Sequence, residues 1–380
     1  MKNNIMLRVV FVLFSAIAAS YGQSPSGVVV PDSPDKGSWG GARLRGINIY
    51  GAFTPKDFQD LKAWKVDHVR YQMVRPKLVK GIDGWELEAK FKDAIDAILT
   101  LAEAVDIKVI LDLHDQSPFF PGDLWKSETL ANWENPENRQ KLASLWKWLA
   151  GIYKDRRIVA GYEILNEPAP PRNERGYRAL NEINKEVTKA IREVDGWHTI
   201  IVSGPEYSRP AKMDMLEATG DPNTVYTFHM YEPTELTHQG VTWMNAPAGV
   251  TYPGIIPLGW NEPRTPTMVD KKFLSEKMAA VATFRKKYNA RIWVGEFSCR
   301  RVAPANSAYA WIKDALELFE AEGWDWCYHC FREDRYGTGN ATFGIEHAWD
   351  AKKEEITPET RTETDRLRLL KSYWQNRAGK

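Results

Sequence analysis

The sequence of 380 residues contains little of what identifies several protein classes. It has only three cysteines, at positions 299, 327 and 330, so a disulfide-rich scaffold is excluded, although one bridge and one free thiol remain open. The formal net charge is +1, which disfavours nucleic acid as a partner, because nucleic acids bind to basic surfaces. No glycine-rich phosphate loop of either standard spacing follows a predicted strand. Nucleic-acid binding and phosphate chemistry are therefore not expected.

Two of the cysteines, Cys327 and Cys330, have the C-x-x-C spacing of redox and zinc sites. A redox pair is expected to open a helix, and a structural zinc ion needs further thiolates or imidazoles nearby. Here the pair lies within an aromatic, strand-like run, and only Cys299 is left as a further thiol. We therefore interpret these cysteines as small buried side chains and predict no metal and no organic cofactor.

The N-terminus has the composition of an export signal. Lys2 and Arg8 precede the apolar run Val9 to Ala19, and small residues follow. This order is typical of a secretory signal peptide, and the run is too short for a stable membrane-spanning helix. A retained membrane anchor is the alternative. We expect residues 1–22 to be a signal peptide, the protein to be secreted or periplasmic, and no membrane contact after cleavage.

The remainder of the chain separates into a short arm and one long repeating pattern. Residues 23–41 are rich in Pro, Ser and Gly without periodicity, and they are predicted to form a linker or an extended arm. Residues 42–380 alternate between apolar, strand-like runs and amphipathic helical patterns. The strand-like runs are residues 43–50, 66–73, 108–114, 158–166, 199–203, 224–231, 291–297 and 324–331.

Eight strands that alternate with helices favour parallel βα units in a protein of the α/β class. We predict a single catalytic domain, residues 42–380, with the (β/α)8 fold of a TIM barrel rather than an open doubly wound sheet. The least regular helical pattern follows the fifth strand, near "AKMDMLEA" at 211–218. A long loop, residues 233–269, follows the sixth strand. It contains Trp243 and Trp260 among Pro and Gly, and we expect both to contact substrate, because long ordered loops on this face usually bind ligands.

Polar side chains occur at the predicted carboxyl ends of six strands. They are Arg70, His114, Asn166, Glu167, His229, Tyr231, Glu296 and His329. A lone residue of this kind is usually structural, but the carboxyl ends of barrel strands all meet on one face. The repetition over six strands therefore predicts a functional site on that face.

Two of these residues, Glu167 and Glu296, are carboxylic acids on the fourth and seventh strands. Cleavage of a glycosidic bond needs one protonated carboxyl group for the leaving oxygen and one ionised carboxylate that attacks or activates water. Arg70 and Tyr231 are suited to keep the second group ionised. The high content of 16 tryptophans also suits stacking on sugar rings. The pair therefore favours glycoside hydrolysis.

The segments "GYEILNEP" at 161–168 and "WVGEFS" at 293–298 resemble glycoside hydrolase family 5, a large family of cellulases, mannanases and related retaining enzymes with (β/α)8 barrels. The resemblance covers about residues 46–331. It implies that Glu167 is the general acid/base, that Glu296 is the nucleophile, and that Asn166 holds the sugar 2-hydroxyl. It also implies roles in the site for the residues that match on strands two, three and six, which are Arg70, His114, His229 and Tyr231.

The sequence departs from the family at the end of strand eight. Relatives usually carry a Trp-x-x-Trp pattern whose second Trp forms the floor of the subsite beside the cleaved bond, whereas this chain has Trp326 and His329. Side chains alternate along a strand, so Trp326 is expected to face the helices if His329 faces the site. Glu163 shares the facing of Glu167 one layer deeper, and we interpret it as a buried, hydrogen-bonded structural group.

We therefore predict an exported retaining O-glycosyl hydrolase that degrades a β-linked polysaccharide or oligosaccharide, with β-1,4-glucan as the first candidate substrate. The alternatives are a β-mannanase, another β-glucan specificity, or a carbohydrate-binding relative that has lost turnover. His329, Trp243 and Trp260 are expected to contact substrate beside the residues implied by the resemblance. We expect a monomer whose partner is the glycan.

Overall fold

The computed structural model describes residues 22–23, 28–121, 128–241, 248–259, 263–332, 346 and 357–376. Eight parallel strands form a closed barrel in which each strand pairs with the next and the last pairs with the first. They are β1 (Arg45–Tyr50), β2 (His68–Gln72), β3 (Lys108–Asp112), β4 (Val159–Glu163), β5 (Thr199–Ser203), β6 (Thr224–Met230), β7 (Arg291–Phe297) and β8 (Asp325–Tyr328). The predicted (β/α)8 barrel is confirmed.

The connections between the strands carry the helices of the described segments. The α-helices are Pro55–Trp64, Ala89–Val105, Glu128–Glu134, Pro136–Tyr153, Glu174–Arg192, Thr234–Thr237, Lys271–Lys277, Ala279–Tyr288, Ala305–Glu322 and Asp365–Gln375. Short 3-10 helices span Pro34–Lys36, Pro210–Met215 and Pro358–Thr360. Two-stranded antiparallel pairs join Gly22–Gln23 to Val29–Val30, Leu78–Lys80 to Trp85–Leu87, and Gly254–Leu258 to Thr265–Val269. Among the described helices, none combines the length and the apolar character that crossing a membrane requires.

The strands are apolar on both faces because both faces are buried. Ile110, Val225 and Trp293 pack inside the barrel, while a larger apolar cluster fills the space between the strands and the helices. The helices bury one face each, and several begin at a side-chain cap. At the start of Glu174–Arg192, for example, the Oδ1 atom of Asn173 accepts a hydrogen bond from the backbone N–H of Gly176 at 3.0 Å.

The helix predicted near residues 211–218 is replaced by a 3-10 helix, Pro210–Met215. It follows the turn Pro205–Ser208, in which three consecutive residues, Glu206, Tyr207 and Ser208, have positive φ angles of 53°, 65° and 56°. The two prolines remove backbone donors, and left-handed residues interrupt a right-handed helix, so no α-helix forms here. The prediction of a regular helix at this position is wrong.

The end of the predicted arm packs on the amino-terminal end of the barrel. The hydroxyl of Ser38 donates to the backbone carbonyl of Ala160 at 2.5 Å, and the indole N–H of Trp39 donates to Asp325 Oδ2 at 3.0 Å. Trp39 is almost completely buried. This packing fills the end of the barrel that lies opposite the polar strand ends. The three cysteines are buried, as their interpretation as small apolar side chains requires.

Candidate active site

The polar residues predicted from the strand ends lie together at the carboxyl end of the barrel. Glu296, on β7, is the centre of the group: its Oε1 atom accepts from Arg70 Nη1 at 2.6 Å and from Gln72 Nε2 at 3.2 Å. Its Oε2 atom accepts from the Tyr231 hydroxyl at 2.9 Å. The Glu296 side chain is only 7% exposed, so these donors replace water around the carboxylate.

The surroundings of Glu296 favour its ionised form. Burial by itself would raise the pKa of this carboxyl group, but the field of three imidazoles and one guanidinium holds the pKa well below its ordinary value of 4.5. In decreasing order of effect, these groups are His229, His329, Arg70 and His114. Glu296 therefore carries a negative charge throughout the neutral range, as a nucleophile must.

Glu167 has a different environment. Its side chain is 31% exposed, and its Oε1 atom lies 2.8 Å from Nδ1 of His229, within hydrogen-bond distance. Strand β4 ends four residues earlier, and Glu167 itself has a φ angle of 42° in the left-handed region. A non-glycine residue pays about 1–2 kcal/mol for this conformation. Such backbone strain is concentrated at functional sites, where the surrounding structure holds it.

The two carboxyl groups face each other at short range. One oxygen of Glu167 and one of Glu296 lie within 4.8 Å of each other, with Nδ1 of His229 within the same distance of both. Retaining glycosidases hold their carboxyl groups about 5–5.5 Å apart, whereas inverting enzymes separate them by about 6.5–9.5 Å to admit a water molecule. The observed separation fits direct attack by a carboxylate.

In the described part of the chain, Glu167, His229 and Glu296 are also the group whose spacing could hold a metal ion. The contact between His229 and Glu167 is 2.8 Å, which is a direct hydrogen-bond length. Two ligands on one tetrahedral zinc ion lie farther apart, about 3.3 Å for bonds of about 2.0 Å. The contact is therefore shorter than a preformed tetrahedral zinc site would have and is that of a direct hydrogen bond between His229 and Glu167.

Arg70 links the site to a layer beneath it. Its Nε and Nη2 atoms donate to the two oxygens of Glu163 at 2.6 and 2.9 Å, and Nη2 also donates to Asn166 Oδ1 at 2.8 Å. Asp112 Oδ2 lies 3.0 Å from the same nitrogen. Arg70, Asp112 and Glu163 are all fully buried. The expected burial of Glu163 is confirmed, whereas nothing in its sequence surroundings indicated that it shares Arg70 with Glu296.

His114 lies beside this layer. Its Nδ1 atom is 2.7 Å from Asp112 Oδ2. Burial disfavours the charged imidazole, but the Asp112 carboxylate outweighs that effect and raises the pKa of His114. The backbone carbonyl of His114 accepts a weak hydrogen bond from Asn166 Nδ2 at 3.5 Å. The position of Asp112, at the end of β3 and two residues before His114 in the sequence, is a signal that sequence inspection could have used.

The end of β8 is polar where relatives usually carry an indole. Nδ1 of His329 lies 3.8 Å from Glu296 Oε2 and 3.5 Å from Gln72 Nε2, so His329 faces the site. Trp326 faces outward, where its indole N–H donates to Glu320 at 2.9 Å and its ring packs on Trp374. The expected opposite facing of residues 326 and 329 is confirmed. Gln72 was missed because an amide at the end of a strand is not by itself informative.

A cavity of about 290 Å³ adjoins Glu167 on the side of β3, β4 and β5. Its walls are His114, Asp115, Gln116, Ser117, Phe120, Asn166, Glu167 and Tyr207. A larger cavity of about 440 Å³ lies between the helices Ala305–Glu322 and Asp365–Gln375, far from the two carboxyl groups. The two carboxyl groups and their charged neighbours, and not the size of a cavity, therefore locate the candidate site. Trp243 and Trp260, predicted to contact substrate, lie outside the described residues.

Comparison with known proteins agrees with this geometry. A family model described as Cellulase (glycosyl hydrolase family 5) matches residues 35–334. Endoglucanase C of Acetivibrio thermocellus is 27% identical over 282 residues, which are 70% of this chain and 80% of that protein. Cellodextrinase A of Ruminococcus flavefaciens is 27% identical over 295 residues, 74% of this chain and 83% of that protein.

Solved structures agree on the fold. A hyperthermophilic endo-β-1,4-glucanase in complex with substrate superposes with a TM-score of 0.66 at 23% identity, covering 86% of this chain and 96% of that one. Cel5A of Thermotoga maritima, in complex with cellobiose, superposes with a TM-score of 0.65 at 22% identity, covering 86% and 97%.

Proposed function

Because this chain belongs to glycosyl hydrolase family 5, we propose that it hydrolyses β-1,4-linked glucan with retention of configuration, using Glu296 as the nucleophile and Glu167 as the general acid/base. The observation that carries the proposal is the pair of carboxyl groups within 4.8 Å, one buried among cations and one partly exposed. The relatives named as an endoglucanase and a cellodextrinase support glucan as the substrate class.

In the first step, an oxygen of Glu296 forms a bond to the anomeric carbon while the bond from that carbon to the glycosidic oxygen breaks. Glu167 transfers its proton to the departing oxygen. In the second step, Glu167 takes a proton from water, the water oxygen attacks the anomeric carbon, and the ester bond to Glu296 breaks. Each step inverts the anomeric centre, so the product has the configuration of the substrate. The exposure of Glu167 suits this role, because it must meet both the leaving sugar and water.

Three neighbours orient the nucleophile and the sugar. Arg70 and Tyr231 each donate to a different oxygen of Glu296. Burial and the nearby carboxylate raise the pKa of Tyr231 well above its ordinary value of 10.0, so its hydroxyl remains a donor in the working pH range. Asn166 is held through Oδ1 by Arg70 and donates one weak hydrogen bond from Nδ2 to the His114 carbonyl, which leaves its other amide N–H to bind the sugar 2-hydroxyl.

The carboxylate roles are tested with Glu167→Ala and Glu296→Ala. We expect each variant to fold and to lose nearly all turnover of an unactivated glucan. A matched control is Glu186→Ala, which removes an exposed carboxylate on the helix Glu174–Arg192 and leaves the barrel face unchanged. A near-wild-type rate in either site variant would overturn the assignment.

Azide separates the two roles. Glu296→Gly with azide should give a glycosyl azide of inverted configuration, because azide replaces the missing nucleophile in a single displacement. Glu167→Ala with azide should give the retained product, because azide attacks the glycosyl-enzyme. Proton NMR of the first product of the wild-type enzyme should show the β-anomer, and an initial α-anomer would mean inversion.

The substrate is tested on a panel of purified β-1,4-glucan, mixed-linkage β-glucan, mannan and xyloglucan. We expect the highest kcat/KM on β-1,4-glucan. A clear preference for mannan would change the substrate assignment from glucan to mannan and would leave the proposed mechanism unchanged. Binding without turnover on every glycan would support a carbohydrate-binding relative that has lost activity.

We also propose that the protein is exported and acts as a monomer. The charged, apolar and small residues of positions 1–22 support cleavage of a signal peptide. Amino-terminal sequencing of the protein from the outside of the producing cell should begin close to residue 23. Light scattering should give the mass of a single chain. An intact N-terminus in the membrane fraction, or the mass of a dimer, would contradict these proposals.

A further inference from the structure

Glu163 is a buried carboxylate that the mechanism above does not use. It occupies the Nε and Nη2 side of the Arg70 guanidinium with both of its oxygens. Ser203 donates a third hydrogen bond to Glu163 at 3.1 Å. Glu163 is fully buried and comes from β4, whereas Arg70 comes from β2, so the two meet across the barrel interior.

This arrangement limits what Arg70 can give to Glu296. The guanidinium has five N–H donors in a fixed fork. Glu163 takes the bidentate side, and Asn166 and Asp112 contact Nη2, so Glu296 receives a bond from Nη1 alone. Burial raises the pKa of Glu163, and its bidentate contact with the Arg70 guanidinium opposes that effect. The positive charge of one Arg70 is thus divided among three buried carboxylates.

We propose that Glu163 is a positioning residue for the nucleophile. It binds the Nε and Nη2 side of Arg70 and offsets part of the guanidinium charge. Glu296 is thereby kept ionised yet remains reactive toward the anomeric carbon. A guanidinium bound to Glu296 alone would stabilise the free carboxylate more strongly than the half-neutralised carboxylate of the transition state. Catalysis gains only from interactions that favour the transition state over the ground state. Glu163 thereby reduces the ground-state stabilisation of Glu296.

This inference rests on the proposed role of Glu296 as the nucleophile. One reagent tests that role and the role of Glu163 separately. A 2-deoxy-2-fluoro-β-cellobiosyl fluoride reacts with the nucleophile of a retaining β-glucanase and leaves a slowly hydrolysed ester, so its inactivation rate constant reports attack by the nucleophile. The fluoride leaving group needs little assistance from Glu167. Mass spectrometry of the peptides identifies the labelled residue.

The decisive comparison is between Glu163→Gln and Glu163→Asp. Gln preserves the size of the side chain and removes its charge, while Asp preserves the charge and shortens the side chain by one methylene group. An electrostatic role predicts that Gln is the more harmful change. We expect the inactivation rate constant to fall about tenfold in Glu163→Gln, from loss of one charge on the far side of Arg70, and to stay within about threefold of wild type in Glu163→Asp.

A purely structural role predicts the opposite order, because Asp leaves a gap in a packed interior, and rates should then follow the melting temperature. Tyr162→Phe is the matched control for stability. Tyr162 is the preceding residue on β4, faces the other way, and donates to Asp195 at 2.8 Å, so the variant loses a buried hydrogen bond without altering the site. We expect it to melt earlier and to react with the reagent at the wild-type rate.

The outcomes are distinct. A label on any residue other than Glu296 would overturn the proposed function. A label on Glu296 with equal rates for wild type and Glu163→Gln would overturn only the role of Glu163. If Glu163→Gln does not fold, Glu163→Asp decides: a rate within about threefold of wild type supports the charge-based role, and a loss of about a hundredfold on removal of one methylene group refutes it.

Discussion

Removal of one hydroxyl group, in Tyr231→Phe, isolates the electrostatic support of the nucleophile. The Tyr231 hydroxyl donates to Glu296 Oε2 at 2.9 Å. The nearest imidazole nitrogens of His229 and His329 are 3.9 and 3.8 Å from the same oxygen, which is beyond hydrogen-bond length. A phenylalanine ring retains the edge-on packing against His238, whose ring centroid lies 5.0 Å away. The substitution therefore removes the hydroxyl donor to Glu296 and keeps the aromatic ring.

The size of the effect follows from the charge on the acceptor. A hydrogen bond to a charged group contributes about 1.5–3 kcal/mol, and 1.36 kcal/mol corresponds to about one pKa unit. Loss of the bond should thus raise the pKa of Glu296 by roughly one to two units. The acidic limb of kcat/KM against pH reports this ionisation in the free enzyme, so it should move upward by the same amount. The wild-type limb should lie below the ordinary pKa of 4.5, and the limb of the variant should lie closer to that value.

Stability provides an independent measurement with a defined sign. The pKa of Glu296 is lowered by folding, so this group contributes stability that is present above its ordinary pKa of 4.5 and is lost as the pH falls through the folded value. Tyr231→Phe reduces that contribution. The loss in melting temperature should therefore be larger at pH 7 than at the acidic end of the accessible range.

The control is Tyr162→Phe, which removes a hydroxyl bonded to the buried carboxylate of Asp195 outside the site. It should lower stability and leave the kinetic pH profile unchanged. If the acidic limb of kcat/KM in Tyr231→Phe coincides with that of the wild type, or if Tyr162→Phe shifts this limb equally, the Tyr231 hydroxyl does not support the ionisation of Glu296.

Four further substitutions test other parts of the site. His329→Trp should shift preference among glycans by changing the floor beside Glu296, and a uniform change on every substrate, with the same pH dependence, would refute a role in selection. Gly295→Ala would place a Cβ atom 2.7 Å from Oγ1 of Thr227 and 3.0 Å from Nε2 of His229, so we expect kcat to fall at least tenfold through displacement of these side chains, and a wild-type kcat would contradict this geometry. Trp243→Ala and Trp260→Ala should each raise KM with little change in melting temperature, whereas a lower melting temperature at constant KM would assign them to packing of the loop.

Much of the barrel was predictable because its strands are buried on both faces. The apolar runs 199–203 and 291–297 coincide with β5 and β7, and the other runs overlap their strands with shifts at one or both ends. The largest shifts are at β8, which ends at Tyr328 rather than at residue 331, and at β4, which ends at Glu163 although the apolar run continues to residue 166. The apolar pattern there reflects burial, while the left-handed backbone of Glu167 reflects the demands of the site.

The polar residues that meet at the strand ends, apart from Gln72, were also predictable, because a closed barrel brings every strand's carboxyl end to one face. The sequence by itself determined which side chains stand there, including the pair Glu167 and Glu296. It also predicted that His329 and Trp326 face opposite ways, since strand side chains alternate. It did not predict the left-handed turn at Glu206, whose conformation no local pattern specifies.

Only the tertiary structure decided how the charges are shared. The bond between Arg70 and Glu296 joins residues 226 positions apart, and the bond between Arg70 and Glu163 spans 93. Gln72 contacts the same nucleophile across 224 positions. Periodicity describes which way a side chain faces relative to its own strand, whereas the choice of partner depends on the register of strands brought together by barrel closure. The lowered pKa of Glu296 is set by such partners, and so it arises only in the folded barrel.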